Sequence, residues 1–185
     1  MSTSSKRPLY ILAALCLAPF IASFALYFFW TPSGNQTNYG TLIAPKALPE
    51  VRLRTPAGEP LALAELRGKW LLLTVDPAAC EEACAKKLYA TRQARTMTGK
   101  ERERIQRLWL MTGEGAAPAG LAAAHPDLRV ARADPVLVAA LPAAPEGGIF
   151  LIDPLGNLIL RYPADPDIKR LHKDIGRLLY ASRIG

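Results

Sequence analysis

Leu9 to Trp30 carries no charge over 22 positions, and about 20 apolar residues suffice to cross a bilayer. The run closes on Tyr27, Phe28, Phe29 and Trp30, an aromatic cluster suited to a membrane–water interface. Further along, Val51 to Arg54 alternates apolar and basic residues. Pro56, Gly58 and Pro60 mark turns, and Leu61 and Leu63 form the return of a short edge hairpin. Trp70 to Val75 is continuously apolar after Gly68, the pattern of a strand buried on both faces. Asp76-Pro77 breaks it, and a helix is predicted from about Cys80 to Thr98. Leu108 to Met111 reads as a second buried strand. The Ala- and Pro-rich stretch 115–146 leaves room for short helices at Leu121–Ala124 and Val136–Leu141. Ile149 to Ile152 is a third strand, Asp153-Pro154-Leu155-Gly156-Asn157 a turn, and Leu158 to Tyr162 a fourth strand. Asp165-Pro166-Asp167 opens a last helix, with Asp165 as cap and Pro166 first in the helix. Ile168, Leu171, Ile175, Leu178 and Leu179 form its apolar stripe.

The order strand–helix–strand–helices–hairpin–helix specifies an α/β protein. The first crossover demands parallel strands and the late hairpin adds an antiparallel edge, so the sheet is mixed, with helices on its faces. That is the order of a thioredoxin-like fold, preceded here by one transmembrane helix. The expected organisation is 1–8 as a cytoplasmic N-terminus, 9–30 as the anchor, 31–49 as a polar linker and 50–185 as the folded domain.

Charge sets the orientation. Lys6 and Arg7 are the only charges before Lys46, so the positive-inside rule leaves the N-terminus in the cytoplasm and carries the domain across. A bacterial inner-membrane protein, single-pass, with its C-terminal domain in the periplasm is the simplest reading. A cleaved signal peptide would show a shorter apolar run and a small-residue cleavage site. A lipid-modified Cys16 would need a small residue before it, where Leu15 stands. The overall charge is +7, from 23 Lys and Arg against 16 Asp and Glu. Nucleic acid is excluded as a partner by the compartment. Arg92 to Arg107 holds six basic and two acidic residues, read as a solvated helix face, with attraction to anionic lipid as the lesser alternative.

Three cysteines exclude a disulfide-framework miniprotein, and two histidines exclude a multi-histidine metal site. The chemistry lies in Cys80-Glu81-Glu82-Ala83-Cys84, at the end of the first buried strand, where open α/β sheets place their sites. Cysteines at i and i+4 share a helical face and lie within disulfide range, about 6 Å between Cα atoms. Soft thiolates bind Cu(I) and exchange disulfides. The bland readings are a static disulfide or two small buried residues. His125 reads as an exposed turn residue before Pro126, His172 as an edge residue of the last helix. Met97 and Met111 are read as core fillers.

Gly68-Lys69-Trp70 with the strand it opens, Cys80-x-x-x-Cys84, and Ile149-Phe150-Leu151-Ile152-Asp153-Pro154-Leu155-Gly156-Asn157-Leu158 with Arg161-Tyr162-Pro163 together resemble the Sco/SenC family. The likeness runs from about Leu48 to the last helix and includes the N-terminal anchor. The resemblance implies a membrane-anchored thioredoxin-fold protein that assists assembly of the copper A centre of cytochrome c oxidase. It further implies Cys80 and Cys84 as copper ligands and, as partners, an oxidase subunit or another copper chaperone. The family's third ligand, a histidine before the late hairpin, has no counterpart: the chain reads Ala144-Pro145-Glu146-Gly147-Gly148. Glu81 also replaces the proline expected after the first cysteine. Three functions follow: a Sco-like accessory factor handling Cu(I) or redox-active thiols, a periplasmic thiol–disulfide oxidoreductase, and a non-catalytic interaction module of thioredoxin fold.

Overall fold

The computed structural model describes residues 6–29, 38–142, 145–182 and 184. It divides into an N-terminal unit, Met1–Thr37, and a folded unit, Asn38–Gly185. The first holds α1 (Arg7–Phe29), 23 residues with none buried and Pro19 inside. At 1.5 Å per residue it is about 35 Å long, enough for a hydrocarbon core of about 30 Å; among the described residues it is the one helix long and apolar enough to cross a membrane. Trp30, the expected end of the span, lies outside the described residues, as do 1–5 of the expected N-terminus and 31–37 of the expected linker.

The folded unit is a six-stranded mixed sheet in the order β1-β8-β7-β4-β5-β6. Its centre is β4 (Trp70–Pro77), buried from Trp70 through Asp76. Residues alternate across a strand. Leu71, Leu73 and Val75 therefore enter one core layer, with Leu108, Leu110, Leu137 and Phe150. Trp70 and Leu72 enter the opposite layer, with Ile149, Leu151, Leu171 and Ile175. β5 (Ile105–Thr112) pairs parallel with β4 along its full length. β7 (Ile149–Ile152) flanks β4 antiparallel on the other side and continues through the hairpin into β8 (Asn157–Tyr162). The crossover helix α2 (Glu82–Met97) and the C-terminal helix α5 (Ile168–Ala181) contact one another. A two-stranded ribbon of β2 (Arg52–Arg54) and β3 (Pro60–Ala62) is the expected hairpin.

The architecture read from the sequence holds; three of its parts change. The stretch 31–49, expected as linker, contributes β1 (Thr41–Ala47), which pairs antiparallel with β8. Polar and proline-bearing residues suit this position because an edge strand is solvated on one side. Its entry is fixed by Asp174 on α5, whose Oδ2 accepts from the Tyr39 and Gly40 amides at 3.0 Å each. In the Ala- and Pro-rich stretch, α3 (Leu121–Ala124) and α4 (Pro135–Ala140) stand as expected, but β6 (Leu128–Arg132) lies between them, parallel to β5. Its register puts only Ala131 fully inside, so it lacks the apolar run that reveals a buried strand. Finally, α5 is capped by Asp167, which accepts from the Arg170 amide, rather than by Asp165; Pro166 precedes the cap and is buried.

Gly40 makes the entry of β1 testable. A Cβ there would stand 2.6 Å from Tyr162 Cε1, and Tyr162 is fully buried, so its ring cannot swing away. We expect Gly40→Ala to lower unfolding free energy by about 1–3 kcal/mol, and the exposed Leu42→Ser to change it by less than about 0.5 kcal/mol. Urea denaturation of the detergent-solubilised chain measures both.

Candidate functional site

β4 ends at Pro77 and α2 begins at Glu82, so Cys80 lies between the two elements. The helix starts two residues later than expected. Cys80 has φ +43°, the left-handed region, and among the described residues it is the only non-glycine there. Such a conformation costs an L-residue roughly 1–2 kcal/mol. It turns the chain so that Cys80 meets Cys84 in the first turn of α2, and the two form a disulfide with Cα atoms 5.0 Å apart. The spacing thus brought the cysteines together, though not on one helical face. Cys84 lies in the first turn of α2, whereas Cys80 precedes the helix. Cys16 is free and exposed on α1.

The disulfide is recessed: Cys80 is 8 % exposed and Cys84 4 %. It packs in a cluster with Ala78, Leu88, Trp109 and Met111, flanked by Ala117, Leu121, Leu128 and Val130. Two further loops, one leaving β5 and one entering β7, reach the same end of the sheet. The Ala78 amide donates to Thr112 O at the end of β5. The Gly147 amide donates to Val75 O, and Thr112 Oγ1 donates to Glu146 Oε1 at 3.0 Å. Glu146 is therefore held at the strand end, in the loop where the resemblance placed a histidine. Ala144 in that loop lies outside the described residues.

Beneath the cysteines lies a pair that sequence reasoning missed. Lys87 Nζ donates to Asp76 Oδ1 at 2.6 Å, with the side chains 1 % and 7 % exposed. Asp76 O also accepts from Trp109 Nε1, whereas Asp76 Oδ2 is buried with no partner among the described residues. Burial pushes the Asp76 carboxyl above its ordinary range. Lys87 pulls the other way without cancelling this, and Glu146 adds to the rise. Both residues were legible in principle: Asp76 ends a strand buried on both faces, and Lys87 stands three residues after Cys84, on the same side of the helix.

The basic stretch 92–107 is not a uniformly solvated face. Arg107, on β5, is buried and bonds Thr91, Leu88 O and both oxygens of Asp127. Burial alone would raise the Asp127 carboxyl, but Arg107 and then Arg95 bring it below its ordinary range. His125 is buried, not exposed. Burial, then Arg107 and Arg92, holds its imidazole below the usual histidine range. The backbone turn joining α3 to β6 explains the burial: His125 donates its amide to Leu121 O and accepts from the Leu128 amide. His172 lines a different groove, with Met97 and Tyr180. Neither histidine joins the cysteine cluster, and among the described residues no group of three or more His, Cys, Asp and Glu could hold a metal ion. Reduction would leave two soft thiolates, which fit Cu(I); the set does not fit Cu(II), which favours nitrogen and oxygen donors in tetragonal geometry.

The model of a family described as transmembrane-like, thioredoxin-like, C-terminal domain matches residues 70–182. No curated protein matches the sequence. Among solved structures, apo Sco1 from Thermus thermophilus is 22 % identical, with 80 % of this chain and 99 % of that chain covered and a TM-score of 0.59. Copper-bound yeast Sco1 is 16 % identical over 75 % and 91 % of the two chains, with a TM-score of 0.60. BsSco, described as a member of the Sco family of cytochrome c oxidase assembly proteins that contains a disulfide switch, is 14 % identical over 76 % and 96 %, with a TM-score of 0.55. At these identities the shared property is the fold, and it is the fold that the Sco/SenC resemblance implied.

The buried pair yields a pH prediction. A carboxyl raised by folding favours the native state when protonated, and that contribution is lost as pH climbs above the ordinary carboxylate range. Lys87→Met removes the opposing cation, so this loss should deepen. We expect Lys87→Met to approach wild-type stability near pH 4.5 and to fall short by about 3 kcal/mol or more at pH 8. Asp76→Asn/Lys87→Met should recover most of the deficit and flatten the profile. Urea denaturation at both pH values, with the disulfide intact, reads the difference.

Proposed function

We propose a role for a chain that belongs to the family of transmembrane-like, thioredoxin-like C-terminal domains: it is a membrane-anchored, Sco-like accessory factor for assembly of the copper A centre of cytochrome c oxidase, and it works through the thiols of Cys80 and Cys84. The observation that carries this reading is the Cys80–Cys84 disulfide at the C-terminal end of the central strand. The fold shared with Sco proteins, one of which is described as holding copper and another as a disulfide switch, supports it.

The redox step is thiol–disulfide exchange in which a reducing protein dithiol opens the Cys80–Cys84 bond and leaves as its own disulfide. A partner thiolate attacks one sulfur of the pair, forming a mixed disulfide, and the other cysteine leaves as thiolate. The partner's second thiol then displaces the first cysteine. Two electrons have passed from the partner to Cys80 and Cys84, and the protons shed by the partner's thiols end on the two cysteines. The α2 N-terminus favours negative charge on Cys84 once the bond opens. The reduced pair then offers a two-thiolate site for Cu(I) as cargo. Cu(II) is poorly matched because two soft thiolates dominate the site and no imidazole joins them. The same exchange without copper is the oxidoreductase reading, which the closed disulfide also favours. Anchoring by α1, with the folded unit in the periplasm of a bacterial inner membrane, follows from Lys6 and Arg7 ahead of the span.

Competition titration of the reduced chain should show Cu(I) binding that Cys80→Ser abolishes, and no stable Cu(II) complex. Tight Cu(II) binding would reveal an unrecognised nitrogen ligand. No Cu(I) binding with both thiols free would leave the redox reading alone. For topology, alkaline phosphatase fused after Gly185 should be active; an inactive fusion, with a cytoplasmic reporter active in its place, overturns the orientation.

A further inference from the structure

Exchange requires a thiolate to approach a sulfur of the disulfide, and neither cysteine is more than 8 % exposed. The residues of the cluster that holds the disulfide, and those packed against it, belong to two kinds of structure. Trp109 and Met111 lie within β5, and Leu128 and Val130 within β6. Ala117 and Leu121 instead come from the connection between those strands, which runs from Gly113 to α3. A Cβ on Gly115 in this connection would touch the Cβ of Ala78, 3.7 Å away, just ahead of Cys80.

That connection is rich in glycine and largely exposed. Gly113, Gly115 and Gly120 adopt φ of +71°, +118° and +83°, conformations that glycine enters at little cost. Apart from the half-buried Ala117, residues 113–120 are exposed. Arg132, on β6 opposite Met111, supplies the side-chain hydrogen bonds that tie the segment to the sheet. Its Nη1 donates to Gly113 O at 3.1 Å and its Nη2 to Gly115 O at 2.5 Å. Few apolar contacts and few backbone bonds place a segment at the low end of local stability. Here the main fastening is one guanidinium.

We propose that residues 113–124 form a flap over the Cys80–Cys84 disulfide and that Arg132 is its latch, a positioning residue that sets how often the sulfurs are reached. This rests on the exchange role assigned to the disulfide above, but the gate itself can be tested with a small reductant. Opening moves Ala117 and Leu121 off the cluster while β4, α2 and the disulfide stay in place. The latch therefore acts on the rate of exchange and leaves its equilibrium unchanged.

The test uses the full chain in detergent and dithiothreitol, which gives two electrons and two protons to the pair and closes to its own cyclic disulfide. Stopped-flow measurement of reduction should give a second-order rate about fivefold to tenfold higher for Arg132→Ala, the size expected for losing two solvent-exposed charge-assisted hydrogen bonds. Arg132→Lys should fall between. Leu121→Ala, which removes the apolar plug without touching the latch, should also accelerate reduction. The reduction potential of each variant, from equilibrium with the same reagent, should match wild type. Hydrogen exchange should quicken at 113–124 and stay unchanged in β4 and α2. Equal rates for wild type and Arg132→Ala overturn the flap, as does a rate gain matched by a shifted potential or by faster exchange throughout the sheet. If Arg132→Ala accelerates reduction while the chain neither exchanges with a protein dithiol nor binds Cu(I), the gate stands and the assembly role falls.

Discussion

The structure depends on β4 being covered on both sides. Leu73 and Val75 are wholly inaccessible to solvent on one face, and Leu72 is nearly so on the other; each fully buried side chain of this kind contributes about 1.5–3 kcal/mol. A strand with that requirement cannot lie at an edge. It needs a neighbour on each side and a layer above and below, which β5, β7, the hairpin ribbon, α2 and α5 provide. The polar end of the same strand is then also enclosed. Asp76 continues the buried run, so a carboxyl is taken into the interior by the position of its backbone, and Lys87 meets it there.

Two charged clusters occupy the interior on the α2 side of the sheet, and their bonding differs. Arg107 distributes its donors among Thr91, Leu88 O and Asp127, so its desolvation is offset by charge-assisted bonds. That cluster ties α2 and β5 to the turn before β6. The Asp76 carboxyl is bonded at one oxygen and, among the described residues, bare at the other. A half-satisfied buried pair is poor value for stability, since apolar residues of similar volume would serve as well or better. Its place is one turn along α2 from Cys84, so the charge of the interior and the state of the sulfurs share a low-dielectric neighbourhood in which electrostatic effects are strong.

Most of the sheet was readable because its strands are apolar runs or alternating ones. Trp70–Val75 and Ile149–Ile152 were placed to within two residues, and the hairpin to β8 followed from Asp153 to Asn157. β1 and β6 escaped for one physical reason: both are edge strands with few buried positions, and their polar or turn-forming residues, Pro45 and Lys46 in one and Arg129 and Arg132 in the other, resemble linker. The cysteine pair was legible as a contact and misread as geometry. An i,i+4 spacing suggested one helical face, whereas the chain reverses at Cys80 and begins the helix afterwards. The positions of Asp76 and Lys87 were legible but their pairing was missed, because a Lys in a helix rich in charge reads as solvated until the neighbouring strand is known to press against it. His125 failed in the same way: its burial is set by a turn, and turns leave little trace in hydrophobic patterning.

The topology explains why these groups converge. β4 and β5 are parallel and therefore end on the same side of the sheet, while β7 runs antiparallel to β4 and so begins there. The loop leaving β4 carries Cys80, the loop leaving β5 carries the segment over the disulfide, and the loop entering β7 carries Glu146. A substitution in any of the three alters one site. With a nitrogen donor in the third loop, the two sulfurs would have a partner for a metal of intermediate softness. With Glu146 hydrogen-bonded to Thr112, the loop instead adds negative charge and a hard oxygen, which raises the neighbouring Asp76 carboxyl and contributes nothing that Cu(I) favours. In place of an imidazole, the third loop therefore presents a carboxylate at that end of the sheet.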